Sequence, residues 1–535
     1  MPVGKFWIRW LLLLPLLLCS AGLQAQAVRV EISQGLISGV QQDGWVTFKG
    51  IPYAQAPVVH LRWAAPEPRA VHSGIFDASR QGPACLQTLA TNSTVATSED
   101  CLNLNVWTPA VDDHKRPVMV WIHGGGLRAG SNAVAGEAFA QRGQVVVAIN
   151  YRLGPLGFFS HEALSEKSAN PAVLDMVLAL HWVQDNIQSF GGDPEQVTIF
   201  GVSAGGMAVN LLMATEASAG LFHRAIAQSG YATWALPRSR GAALPAPRDM
   251  DLTRAAPAEA LASELVAKVD PTAQTAQRLY ALDGQELVDA LVGFQLPIVD
   301  GTTLTAEPGQ IFRAGQQHAV PYMSGGNSHE GTVMRASRIT LDDYAAMLGD
   351  DLDATQRLYA TDFAVSRELG LSRMFGDNRY LLSARVLASA MAEADQPAWL
   401  YYVDFVPPSR QASWRGTPHG MDAYLLFAGL ASEAAVTRKM VERMRGYWSN
   451  FARTGDPNGA GLETWPKYRR ETDQWLVFGA QDEVRSAVLK DKLDLLEKRY
   501  LRRLLSESVS LRRPATRQWA RAGSVRCPPS ACRCQ

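Results

Sequence analysis

Two apolar runs, Val118-Met119-Val120-Trp121-Ile122 and Val145-Val146-Val147-Ala148-Ile149, contain no polar residue at either parity. The missing alternation predicts strands covered on both faces by helices, as in a parallel sheet. Val197-Thr198-Ile199-Phe200 predicts a third such strand. Ahead of it Val173, Val177, Leu180 and Val183 recur at helical spacing over residues 172–187, and Gly191-Gly192-Asp193-Pro194 supplies a turn. Strand, helix and strand in this order predict a parallel sheet wound with right-handed crossovers. Ala225-Ile226-Ala227 and Tyr401-Tyr402-Val403 extend it, and Val28-Arg29-Val30-Glu31-Ile32 alternates like a strand ahead of Phe48-Lys49-Gly50-Ile51-Pro52-Tyr53. Residues 237–291 and 341–394 have helical periodicity, and the first block is expected over the carboxyl edge of the sheet. The class is α/β, with a mostly parallel central sheet, helices on both faces and helical insertions.

The two ends depart from this pattern. Lys5 and Arg9 precede the apolar run from Leu11 to Leu18, and Ala25-Gln26-Ala27 offers a cleavage site. Residues 1–27 therefore read as a signal peptide, too short in apolar length to span a bilayer. Cys19 has Leu18 before it where a lipoprotein signal would have a small residue. At the other end, residues 506–535 carry Arg512, Arg513, Arg517, Arg521, Arg526 and Arg533 with Cys527, Cys532 and Cys534, and no acid follows Glu507. That tail is expected to be disordered. Residues 28–505 are then one domain.

Composition excludes some functions. The 535 residues are 47% hydrophobic and 19% charged, with 51 basic and 51 acidic side chains, so no global field draws the chain to nucleic acid. No later stretch is long enough for stable membrane insertion, and the expected partner is a small molecule. Cys85 and Cys101 enclose a polar loop; export would let them pair, and otherwise they are buried thiols.

Gly201-Val202-Ser203-Ala204-Gly205 is a G-x-S-x-G pentapeptide between a predicted strand and a helix-like run over residues 206–213. In this context the serine occupies a strained turn permitted by small neighbours, its hydroxyl at the sheet edge and the helix N-terminus. His123-Gly124-Gly125-Gly126 follows the strand ending at Ile122, and its glycines let backbone N–H groups approach a substrate carbonyl. Gly125, Gly126 and Ala204 are the expected oxyanion donors. A serine hydroxyl needs a base, and the base needs a carboxylate to fix its tautomer. Of ten histidines, His419 stands in a loop after the late strand, and Glu330 follows the apolar strand at residues 320–323. Serine, acid, histidine is the chain order of the α/β-hydrolase fold.

Phe200-Gly201-Val202-Ser203-Ala204-Gly205-Gly206, Glu99-Asp100-Cys101-Leu102-Asn103-Leu104-Asn105-Val106 and Phe190-Gly191-Gly192-Asp193-Pro194 resemble the type-B carboxylesterase/lipase family, which includes carboxylesterases and cholinesterases. The resemblance runs from about Val28 to Phe478. It implies the α/β-hydrolase fold, a serine esterase, Ser203 as nucleophile, Glu330 as acid, His419 as base, and an oxyanion hole from the glycine motif with Ala204. It also implies a Cys85–Cys101 disulfide. The chemistry requires no metal and no cofactor.

Two departures bear on the substrate. The family commonly has Glu before the nucleophile and Asp before the triad Glu, where this chain has Val202 and His329. The Cys85 to Cys101 loop has no aromatic residue, whereas cholinesterases place a tryptophan there to hold a quaternary ammonium. A choline ester is thus not expected. With two acidic groups gone and Arg128 two residues beyond the oxyanion glycines, one of two readings is an ester of a polycarboxylic acid, with Arg128, Val202 and Trp234 as candidate substrate contacts. An apolar pocket for neutral esters competes with it. Amide or carbamate hydrolysis and lipolysis use the same machinery, and a non-catalytic adhesion module would have lost the nucleophile.

Overall fold

The computed structural model of the protein describes residues 26–88, 95–164, 168–240, 257–429 and 433–512, with side chains through Leu505. Residues 1–25, which hold most of the expected signal peptide, and residues 513–535 lie outside the described residues. The strands of the main path are β1 (Ala27–Ile32), β2 (Gly35–Gln42), β3 (Trp45–Pro52), β4 (Asn103–Thr108), β5 (Arg116–Ile122), β6 (Val145–Ile149), β7 (Gly192–Val202), β8 (Arg224–Gln228), β9 (Tyr322–Asn327), β10 (Ala398–Val403), β11 (Gln474–Phe478) and β12 (Glu483–Ser486). Their spatial order is β1-β2-β3-β4-β6-β5-β7-β8-β9-β10-β11-β12. From β6 to β11 every pairing is parallel. The flanking pairs are antiparallel, β1 through β4 and β6 on one side and β11 with β12 on the other.

Helices α1 (Pro171–Asn186), α2 (Ala204–Met213), α3 (Ala258–Val269), α4 (Arg367–Gly376), α5 (Leu382–Glu393), α6 (Met421–Phe427), α7 (Ala435–Thr454) and α8 (Lys490–Arg512) cover the sheet and its upper edge. The apolar runs of β5 and β6 divide by parity, which is why neither shows alternation. Val118, Val120, Ile122, Val145, Val147 and Ile149 pack into one core with α1, α2 and α5. Met119, Trp121, Val146 and Ala148 pack into a second core with α7 on the opposite face. Each face is buried, as a sheet between two helix layers requires.

Some boundaries differ from the sequence expectation. The turn at 191–194 runs into the strand: Gly191 takes φ 74°, Gly192 already pairs with β5, and the register then slips before Val197, where Asp193 accepts from Glu195 N–H. The block over residues 341–394 is broken by a π-helical turn, Asp377–Leu381, between α4 and α5. Helix α8 carries the backbone to Arg512, into the stretch expected to be tail. Among the described residues no helix is long and apolar enough to cross a membrane.

Candidate active site

The site sits at the carboxyl ends of the central strands, where an open parallel sheet leaves loops free to carry chemistry. β7 ends at Val202, and Ser203 turns into α2 with φ 58° and ψ −118°, a strained conformation for a residue with a Cβ. Two backbone bonds hold it there: Ser203 N–H donates to Gln228 O at 2.8 Å, and Met207 N–H donates to Ser203 O at 2.8 Å. The turn requires Gly205, because a Cβ there would stand 2.1 Å from the Ile122 carbonyl. Ser203 is 8% exposed.

The glycine loop after β5 folds beside this turn. Gly125 and Gly126 have φ of 112° and 67°, open to glycine without strain. The Gly125 carbonyl accepts from Arg128 and Ala129 N–H groups, and Gly126 O accepts from Gln295 N–H at 3.0 Å. Both carbonyls are thus engaged on the protein side, while the N–H groups of Gly125, Gly126 and Ala204 donate to no acceptor among the described residues. His123 anchors the loop: its ring stacks on Tyr151 at 4.4 Å and Tyr151 Oη donates to His123 O at 2.7 Å. Burial pushes His123 down to about 4, so it is neutral near pH 7.

Glu330 and His419 come together from loops after β9 and β10. Glu330 is 1% exposed, and its Oε1 accepts from Ser229 Oγ at 2.6 Å, Asn327 N–H at 2.5 Å and Asn327 Nδ2 at 3.1 Å. Its Oε2 pairs with His419 Nδ1. Burial raises the carboxyl's pKa, but the charge and hydrogen bond of His419 and the donors Ser229 and Asn327 outweigh it and hold Glu330 below its ordinary value. His419 N–H donates to Thr332 Oγ1 at 3.0 Å, and the imidazole packs at 4.5 Å against the Tyr380 ring. Its Nε2 is buried with no hydrogen-bond partner. The histidine loop meets the elbow at Gly420, where a Cβ would sit 3.8 Å from Val202 Cγ2.

Side chains around the triad fix these loops. Arg373 donates to the carbonyls of Ser328 and Arg415, clamping the acid and histidine loops to α4. His329, where the resembled family has Asp, forms a 3.3 Å hydrogen bond with Ser372 Oγ, and burial, aided by the Arg373 charge, takes its pKa down to about 4. Asp422 on α6, fully buried, accepts from Tyr401 Oη at 2.6 Å, Gln228 Nε2 at 3.1 Å and Asn327 Nδ2 at 3.0 Å, tying β8, β9 and β10 beneath the site. Ser229 and Asn327 had one sequence signal: each stands at or just past the carboxyl end of a strand.

The other candidates are placed as follows. Val202 is half-buried against the core below the elbow. Arg128 Nη1 donates to Gly293 O at 2.8 Å, next to Phe294. Trp234 is half-buried, edge-on to Phe375 at 5.5 Å and 4.5 Å from the Arg379 guanidinium. Cys85 and Cys101 form a disulfide. Arg62 binds Glu99 through two nitrogens and Leu282 O through a third, tying the disulfide loop to the helical insertion. An apolar cavity of about 400 Å³, lined by Phe159, Leu265, Leu291, Phe294 and Ile298 among others, borders the glycine loop through Phe294. Among the described residues no cluster of His, Cys, Asp and Glu could hold a metal ion.

The sequence profile of the Carboxylesterase family matches residues 26–496. The chain is similar to a fumonisin B1 esterase of Sphingopyxis macrogoltabida, 35% identical over 482 residues that cover 84% of this chain and 85% of that protein. It is 32% identical to the para-nitrobenzyl esterase of Bacillus subtilis (strain 168), covering 84% of this chain and 95% of that one. Among solved structures, a Geobacillus stearothermophilus carboxylesterase superposes with a TM-score of 0.75 at 30% identity, covering 88% of this chain and 99% of that one.

Proposed function

From the premise that this chain belongs to the carboxylesterase family and is a serine carboxylesterase of the α/β-hydrolase fold, we propose that it works through an acyl-enzyme on Ser203, with His419 as base and Glu330 as the acid that orients it. The observation that carries this reading is the buried Glu330–His419 pair, whose free Nε2 belongs to the loop packed on the strained turn of Ser203. His419 Nε2 takes the hydroxyl proton as Ser203 Oγ attacks the ester carbonyl. The N–H groups of Gly125, Gly126 and Ala204 receive the oxyanion, and the imidazolium returns the proton to the leaving alcohol. Water, deprotonated by the same imidazole, then releases the acid and restores Ser203. Fixed donors of this kind are each worth about 10²–10³ in rate.

The finer reading is an exported enzyme for esters of polycarboxylic acids. The N-terminal apolar run of residues 11–18 and the Cys85–Cys101 disulfide support export, with residues 28–505 as the catalytic domain. Val202 and His329 in place of acids, and Arg128 beside the glycine loop, support an anionic substrate. The fumonisin B1 named for one relative is a further ester to assay. The test of the mechanism is Ser203→Ala: hydrolysis of 4-nitrophenyl butyrate falls by about 10⁴–10⁶ while circular dichroism stays unchanged. Full turnover by the folded variant removes Ser203 from the reaction.

A further inference from the structure

Arg379 lies in the π-helical turn Asp377–Leu381, a widened turn of the kind that recurs at functional sites. It is 3% exposed. Its guanidinium carbon stands 4.1 Å from the Tyr231 ring centre, 4.5 Å from Trp234, 5.8 Å from Phe294 and 5.9 Å from Tyr380. Its Nε has no hydrogen-bond partner, and among the described residues no carboxylate pairs with it. The hydroxyls of Tyr231 and Tyr380 are buried beside this guanidinium without a well-formed hydrogen bond, and its nearness offsets part of the rise in pKa that burial gives both.

The cage is part of the reaction site. Tyr380 packs on the His419 imidazole, and Phe294 occupies the space where a Cβ on Gly126 would be, 2.3 Å from that position. Arg379 is thus held between the base and the oxyanion loop. Aromatic faces offset part of the cost of burying a cation, but they offer no lone pair to its N–H groups. Phe294 and Trp234, both half-buried, form the outer walls, and Arg128 pins the Gly293 carbonyl next to Phe294. A planar carboxylate entering past these rings would accept from the guanidinium and from the two tyrosine hydroxyls together.

We propose that Arg379, with Tyr231 and Tyr380, determines specificity by receiving a free carboxylate borne by the ester a few bonds from the scissile carbonyl, so that half-esters of small polycarboxylic acids are the preferred substrates. This rests on the esterase reading above and gives the anion contact to Arg379, with Arg128 positioning the Phe294 wall.

The probes are benzyl hydrogen glutarate and benzyl methyl glutarate, identical except for the free carboxylate, with released benzyl alcohol followed by chromatography. The wild type is expected to favour the half-ester in kcat/KM by at least about tenfold. Arg379→Met should cost the half-ester roughly 30-fold more than the diester. Arg379→Lys should keep part of the preference, and Tyr231→Phe should weaken it a few-fold. Equal or faster turnover of the diester by the wild type overturns the proposal whether or not any variant folds, and so do equal losses on both probes in a folded Arg379→Met. Failure of the esterase reading would show separately, as no hydrolysis of either probe or of 4-nitrophenyl butyrate by the wild type.

Discussion

Glu330 Oε1 collects three donors, two of them from Asn327 and one from Ser229, while Oε2 is left for His419. The division matters because a carboxylate free to rotate would not hold Nδ1–H and would leave Nε2 poorly aimed. Ser229 is therefore a positioning residue. Ser229→Ala removes one charge-assisted hydrogen bond of a kind worth about 1.5–3 kcal/mol, and with both Asn327 donors left the lower figure applies. We expect kcat to fall about tenfold with KM nearly unchanged, since Ser229 is fully buried behind Glu330; a fall expressed only in KM would show that the hydroxyl meets the substrate instead. Of the proposed triad, Ser203 is marked in the sequence by its own strand, turn and helix context, whereas His419 and Glu330 rest on their place in the chain order and on the family resemblance. Ser229, Asn327, Asp422 and Arg379 could not be picked out, because their roles arise from loops that meet only once the sheet is closed. Arg128 was legible as a cation near the glycine loop, but its hydrogen bond to Gly293 depends on an insertion more than a hundred residues away.

The π-turn of Asp377–Leu381 is the element with the largest bearing on the site, since it carries both Tyr380 and Arg379. Asp377 opens it, 3% exposed, accepting from Tyr359 Oη at 2.7 Å. Burial, only partly countered by the charge of Lys492, raises this carboxyl from 3.8 to about 6. The folded state thus binds the proton more tightly than the unfolded chain, so Asp377's contribution to stability falls as pH rises from 3.8 through about 6. Asp377→Asn keeps the acceptor and removes the charge. It should stabilise the protein, by about 1 kcal/mol more at pH 8 than at pH 5 in urea denaturation; a gain independent of pH would mean that the carboxyl is ionised throughout. Nothing in the apolar spacing of residues 341–394 marked this turn, because the block is already divided into several short helices whose faces do not follow one another. The buried strands were legible for the opposite reason. Continuous apolar runs such as Val145–Ile149 fit a sheet covered on both faces, and the structure divides them between two cores.

At the scale of the molecule, the alternation of strands and helices predicted a parallel sheet but not its order, and the exchange of β5 and β6 leaves no mark in local sequence. The antiparallel flanks were also hidden, since their pairing depends on which strands the loops bring together. What the closed fold adds is a set of titratable groups sealed around one site. His123 and His329 are both held near 4 against an ordinary 6.5, the first by burial and the second by burial with the Arg373 charge. In each case the unfolded chain binds the proton more tightly, so stability is fully present above pH 6.5 and is lost as pH falls toward 4. Glu330, held below 4.5, adds a loss of the same sign at lower pH, whereas Asp377 opposes them between about 6 and 3.8. Two histidines outweigh one aspartate, so the protein should lose stability from pH 7 to pH 5. His123 alone accounts for about 2 kcal/mol of that loss. Replacing it in His123→Phe, which preserves the stack on Tyr151, should flatten the dependence of the urea midpoint on pH over this range. A slope as steep as that of the wild type would show that His123 binds its proton equally well in the folded and unfolded chain.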